Sequence, residues 1–129
     1  MDRWLGRYEG LIYAALRIVI GFLFLCHGLQ KVFGLLGGER QELVSLMGLA
    51  GIIELAGGTL VALGLYASWA AFICSGQMAF AYFMAHAHRD LLPIANGGEP
   101  AVFYCFAFLY IAARGNGPFS LGKGRARKG

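Results

Sequence analysis

The chain has 129 residues, 58% of them apolar and only 14% charged, which leaves room for one domain (1–129) and falls outside the usual composition of a water-soluble globule. The formal charge of +4 is concentrated at the ends, in Arg3, Arg7, Arg114, Lys123, Arg125, Arg127 and Lys128. Basic ends beside apolar stretches point to topology and anionic lipid, and exclude nucleic acid as a partner.

A helix that crosses a bilayer needs roughly 20 mostly apolar residues, because an unpaired backbone amide in hydrocarbon costs several kcal/mol. Four stretches suit this: about 11–32, 47–65, 69–87 and a short one over 100–113. The first follows basic residues but contains Arg17, exceeds a signal h-region and lacks a small-x-small cleavage site, so it is read as a retained span. Tyr66, Ala67 and Ser68 alone join the second stretch to the third, which predicts an antiparallel hairpin. Glu99-Pro100 ahead of the last stretch and Arg114-Gly115 behind it supply helix start and stop signals. The expected fold class is all-α, a transmembrane four-helix bundle with both termini cytoplasmic, multi-pass in the cell (inner) membrane.

Ionisable groups within such spans are costly and mark the place to look for function. On the first span Arg17, Gly21, Phe24, Gly28 and Lys31 lie within roughly 80° of one another at the helical step of about 100°, a face that should point inward. His27 lies beside it, and Glu54 on the second span comes within reach of Lys31. Gln77 and His88 share a face of the third span, with His86 pointing elsewhere and Glu99 closing the third loop. The candidate polar pocket is therefore Arg17, His27, Lys31, Glu54, Gln77, His86 and Glu99, gathered mostly in the outward-facing half. Each has a plainer reading: Arg17 snorkels, Lys31 and Glu54 fix helix register, the histidines sit at an interface, and Glu99 favours a helix N-terminus.

Cys26, Cys74 and Cys105 lie in three different apolar stretches without metal or disulfide spacing, and read as small buried residues. No paired histidine spacing suggests a metal, and no nucleophile, base and orienting group can be assembled. The aromatics Phe103, Tyr104, Phe106 and Phe108 serve packing or cover a ring. The candidate cofactor-contacting residues are His27, Lys31 and Tyr104; the cofactor is unknown, with quinone ahead of haem.

These residues resemble the DoxX family of small four-helix membrane proteins. The likeness rests on Arg17 with Gly21, on His27-Gly28-Leu29-Gln30-Lys31, and on Glu54 followed by Gly57-Gly58 and Gly64. It continues through Met78, His86 and Gly97-Gly98-Glu99 to the closing Gly115-Asn116-Gly117-Pro118-Phe119-Ser120-Leu121. The family often has an acidic residue after the closing Ser-Leu, where this chain has Gly122, so no role of that acid carries over. The resemblance implies a redox-associated membrane subunit that meets a quinone or small sulfur compounds in oxidative or thiol stress defence, as a subunit of a quinone-linked oxidoreductase. Two other classes are weighed: a non-enzymatic scaffold that recruits a partner protein, and a small transporter, for which one bundle leaves little room unless it forms a homo-oligomer.

Overall fold

The computed structural model describes residues 2–35, 37, 45–87 and 89–122. Among them the structure is all-helical, with six helices and no strand: α1 (Asp2–Gly6), α2 (Glu9–Phe33), α3 (Leu46–Leu63), α4 (Ala67–Ala85), α5 (Pro93–Asn96) and α6 (Glu99–Arg114). The four apolar stretches correspond to α2, α3, α4 and α6, with boundaries one or two residues from those the sequence indicates. Glu39, Arg40 and Glu42 of the first loop, His88 and the basic tail from Lys123 onward lie outside the described residues.

Local signals explain the ends. The Ser45 hydroxyl accepts from Gly48 N at 3.0 Å and caps α3. Gly64, at φ +73°, closes the same helix in the left-handed conformation, with Leu65 N donating to the Leu60 carbonyl at 2.9 Å. That turn is so tight that α4 begins three residues later and runs back antiparallel.

Glycine sets the packing of α2 on α3, the most extensive helix contact together with that of α4 on α6. Gly21 and Gly28 on α2 and Gly51 and Gly58 on α3 repeat at intervals of seven, which keeps them on one stripe of each helix. A Cβ built on Gly58 would stand 2.6 Å from Leu25 N, and one on Gly21 would stand 2.5 Å from Ala62 N. Backbone therefore rests on backbone, the contact small residues permit between helices in lipid. α3 then packs on α4, while α2 and α6 come close at few positions and meet through aromatic rings, Phe24 against Phe108 at 4.7 Å and against Tyr104 at 5.4 Å.

The distribution of polarity is the reverse of that in a water-soluble bundle. Arg17 is 0% and Glu54 1% exposed, whereas Trp69 is 71% and Phe103 72% exposed. α2 and α3 are long and apolar enough to cross a membrane. An apolar solvent around the helices accounts for both facts, since ionised groups then shelter inside and aromatic rings face out.

Candidate functional site

Polar side chains collect at two poles of α2. The first is built on Glu9, Tyr13 and Arg17, which recur every four residues and so share one face. Arg17 Nε donates to the Val61 carbonyl at 3.0 Å, Nη1 donates to the carbonyls of Asn116 and of Pro118 (3.0 Å), and Nη2 donates to that of Phe119 at 2.8 Å. The guanidinium thus ties the last turn of α3 to the segment after α6. Its charge rests on backbone dipoles, including the negative end of α3, and no carboxylate lies within ion-pairing distance among the described residues.

The same segment is fastened by further contacts. Asn116 Oδ1 accepts from Ala67 N at 2.9 Å and caps α4, and Leu121 N donates to the Leu63 carbonyl at 2.9 Å. The Tyr13 hydroxyl donates to the Gly115 carbonyl at 2.5 Å, and Arg114 pairs with Glu9 while its guanidinium lies 4.3 Å over the Tyr13 ring. These contacts place the start of α2 and the end of α6 at one end of the molecule. Phe119 at φ +55° and Tyr66 at φ +50° are the two non-glycine residues in left-handed backbone among the described residues, and both lie at this pole. The Phe119 strain accompanies a carbonyl aimed at Arg17.

The second pole lies deeper. Lys31 Nζ stands 2.6 Å from Glu54 Oε2, and Gln77 Nε2 donates to the same oxygen at 2.9 Å. α2, α3 and α4 each contribute one of the three side chains. Gly51 makes the pair feasible, because a Cβ there would meet the Lys31 Cβ at 2.7 Å. Two buried acceptors of this cluster, Glu54 Oε1 and Gln77 Oε1, have no hydrogen-bond partner among the described residues. Buried carboxylate and amide oxygens are rarely left so, which marks this cluster as the candidate site.

The other sequence-derived candidates fall elsewhere. Arg17 belongs to the first pole and neither snorkels nor joins the pocket, because its donors are committed to backbone carbonyls. His86 sits in the third loop, where its Nδ1 donates to the Asn96 carbonyl at 3.2 Å, and the Asn96 amide donates to the Tyr82 hydroxyl at 2.9 Å. Glu99 is exposed at the start of α6. His27 is exposed on α2, with its ring 6.1 Å from that of Tyr104 and perpendicular to it, at the seam with α6. His27 and His86 are not brought together, so the paired histidine ligation of a haem has no counterpart among the described residues, which do not include His88. No three His, Cys, Asp or Glu side chains converge on a metal position among the described residues.

Residues the sequence did not single out as a site include Tyr13, Asn96, and Asn116 as a helix cap. Asn116 was visible as part of the closing motif. Only the meeting of that motif with Arg17 gives it a role.

The features together define a membrane-associated, all-helical protein in which a buried carboxylate pairs with a lysine between the helices. The family model for DoxX matches residues 12–87, and the chain belongs to that family, which is membrane-associated. A relative from Haemophilus influenzae, named only as an uncharacterized protein, is 39% identical over 124 residues, covering 91% of this chain and 92% of its own. No solved structure matches the chain.

Proposed function

We propose that this protein is a membrane-embedded, redox-associated subunit that presents the Lys31–Glu54–Gln77 cluster to a quinone or a small sulfur compound, in oxidative or thiol stress defence. α2, α3, α4 and α6 form a four-helix bundle across the inner membrane. Both termini face the cytoplasm, where Arg3, Arg7, Arg114 and the basic tail obey the positive-inside rule. One observation carries the reading: a carboxylate 1% exposed, joined to a lysine and to a glutamine, retains an unpartnered oxygen inside the helices. A group kept ionisable at such cost is a functional candidate by default.

In this reading Lys31, helped by His27 at the seam, donates hydrogen bonds to a quinone oxygen as it gains electrons from a thiol or from a partner reductase. Glu54 holds Lys31 and passes protons. Tyr104 and its neighbours cover the ring. The test is purification in mild detergent followed by absorbance and mass spectrometry of bound small molecules, with quinone reduction by a thiol donor measured in wild type, Lys31→Met and Glu54→Gln. Bound quinone, with turnover at least tenfold lower in both variants, is the expected result. Finding no bound small molecule and no difference among the three proteins would overturn it.

A second reading is a non-enzymatic scaffold that recruits a partner protein. It is favoured by the first pole, where Arg17, Tyr13, Asn116 and Arg114 are all spent on holding the chain together. Stable co-purification of one partner, undiminished in Glu54→Gln, would decide for it.

A further inference from the structure

The character of the two vacant atoms says more than their presence. Glu54 Oε1 and Gln77 Oε1 are both acceptors, and they belong to side chains already joined by a hydrogen bond, so one bound molecule reaches both. The Lys31 ammonium keeps hydrogens to donate, while the two buried oxygens accept, so a group that both accepts and donates, a hydroxyl, matches the cluster better than a carbonyl that only accepts.

Charge narrows the ligand further. Lys31 and Glu54 cancel one another, so a cation or an anion beside them would leave a net charge in an apolar interior, whereas a neutral donor leaves the balance intact. A bare metal ion is also poorly served, because no third His, Cys, Asp or Glu converges on the cluster among the described residues.

Shape supplies the body that carries the donor. The seam between α2 and α6 is lined by Phe24, Tyr104 and Phe108, and at its edge the exposed His27 ring stands perpendicular to Tyr104. Lys31 follows His27 by one turn on α2, so the edge of the seam and the cluster adjoin along that helix. Phe24 and Phe108 are buried against one another, and the accessible edge of the seam is that of His27 and Tyr104, where a flat aromatic molecule can stack.

We infer that the Lys31–Glu54–Gln77 cluster is a binding site for a neutral phenolic hydroxyl, entering along the α2–α6 seam and donating its hydrogen to Glu54 Oε1 or Gln77 Oε1. The inference rests on the location of the site proposed above, and assigns it the reduced, hydroxyl-bearing member of a quinone–quinol couple. A site of this polarity favours product-like quinol over quinone, and Gln77 is its specificity-determining residue.

Equilibrium binding to the purified full chain in nanodiscs tests this with three probes of similar size: 4-propylphenol, its methyl ether and 2-propyl-1,4-benzoquinone. The phenol is expected to bind at least tenfold more tightly than the ether, and Gln77→Leu is expected to remove most of that preference. A variant that fails to fold is bypassed by infrared difference spectra of the wild type, in which the phenol, and not the ether, shifts a carboxyl band that is absent from Glu54→Gln. Equal affinities for phenol and ether, or an unshifted band, would overturn the inference. Tight quinone binding without phenol preference removes the donor site but leaves the redox reading standing; phenol preference in a protein that passes no electrons does the reverse.

Discussion

Arg17→Met removes the side-chain donors that tie α3 to the closing segment, leaves the Leu121 N to Leu63 carbonyl bond in place, and keeps much of the side-chain volume. Four carbonyls lose a charged donor: Val61, Asn116, Pro118 and Phe119. Hydrogen bonds to charged groups contribute about 1.5–3 kcal/mol each, a gross loss of about 6–12 kcal/mol. Two effects offset it. A guanidinium no longer has to be stripped of water, which returns several kcal/mol, and the carbonyls of an end segment can take up solvent. The net destabilisation is therefore about 3–5 kcal/mol, at least a hundredfold in the folded fraction at about 1.4 kcal/mol per tenfold. It is measured by denaturant titration in detergent micelles, with trypsin cleavage after Arg114 reporting release of the segment. Arg17→Lys keeps the charge but not the fork, and should recover less than half the loss. An Arg17→Met protein within about 1 kcal/mol of wild type, with Arg114 still protected, would refute the tie.

Other perturbations probe the remaining contacts. Gly58→Val drives two methyl groups into Leu25 backbone that a lone Cβ already meets at 2.6 Å, so α2 and α3 must separate; we expect a loss of at least about 2–3 kcal/mol in the same titration. Asn116→Ala uncaps α4 at Ala67 and should cost about 1 kcal/mol, clearly less than Arg17→Met. Lys31→Met leaves Glu54 buried without its cation, an expected cost of about 3–5 kcal/mol that the double variant Lys31→Met/Glu54→Gln should largely restore; absence of that rescue in a double-mutant cycle would show that the pair is not coupled.

The helices were legible because hydrocarbon imposes long uninterrupted apolar runs, and Glu54 and Lys31 stood out against them as charges needing a partner. Their pairing followed from placing α2 and α3 side by side. Arg17 was misread for a related reason. Distance from the helix end suggested a side chain reaching for the interface, and nothing local shows that a glycine-rich segment 99 residues onward supplies its carbonyls. His86 reads from the sequence as an outward-half pocket candidate or an interfacial side chain, and only the fold of the third loop turns it toward Asn96. Gln77 gave the weakest signal, being uncharged, yet it completes the cluster around Glu54.

The two poles differ in one respect that separates structure from function. At Arg17 the guanidinium is matched by carbonyls from two segments, and its burial is accounted for by the chain alone. At Glu54 the chain supplies a lysine and a glutamine and still leaves two acceptors open. If the Glu54 cluster only held the helices together, Gln77→Leu would be destabilising, since it removes a hydrogen-bond donor to a buried carboxylate. We expect Gln77→Leu to raise stability by about 1 kcal/mol in the absence of ligand while abolishing selective phenol binding, the opposite signs that a functional site shows when relieved of its strain. A destabilising Gln77→Leu that still discriminates phenol from ether would assign this cluster to structure as well.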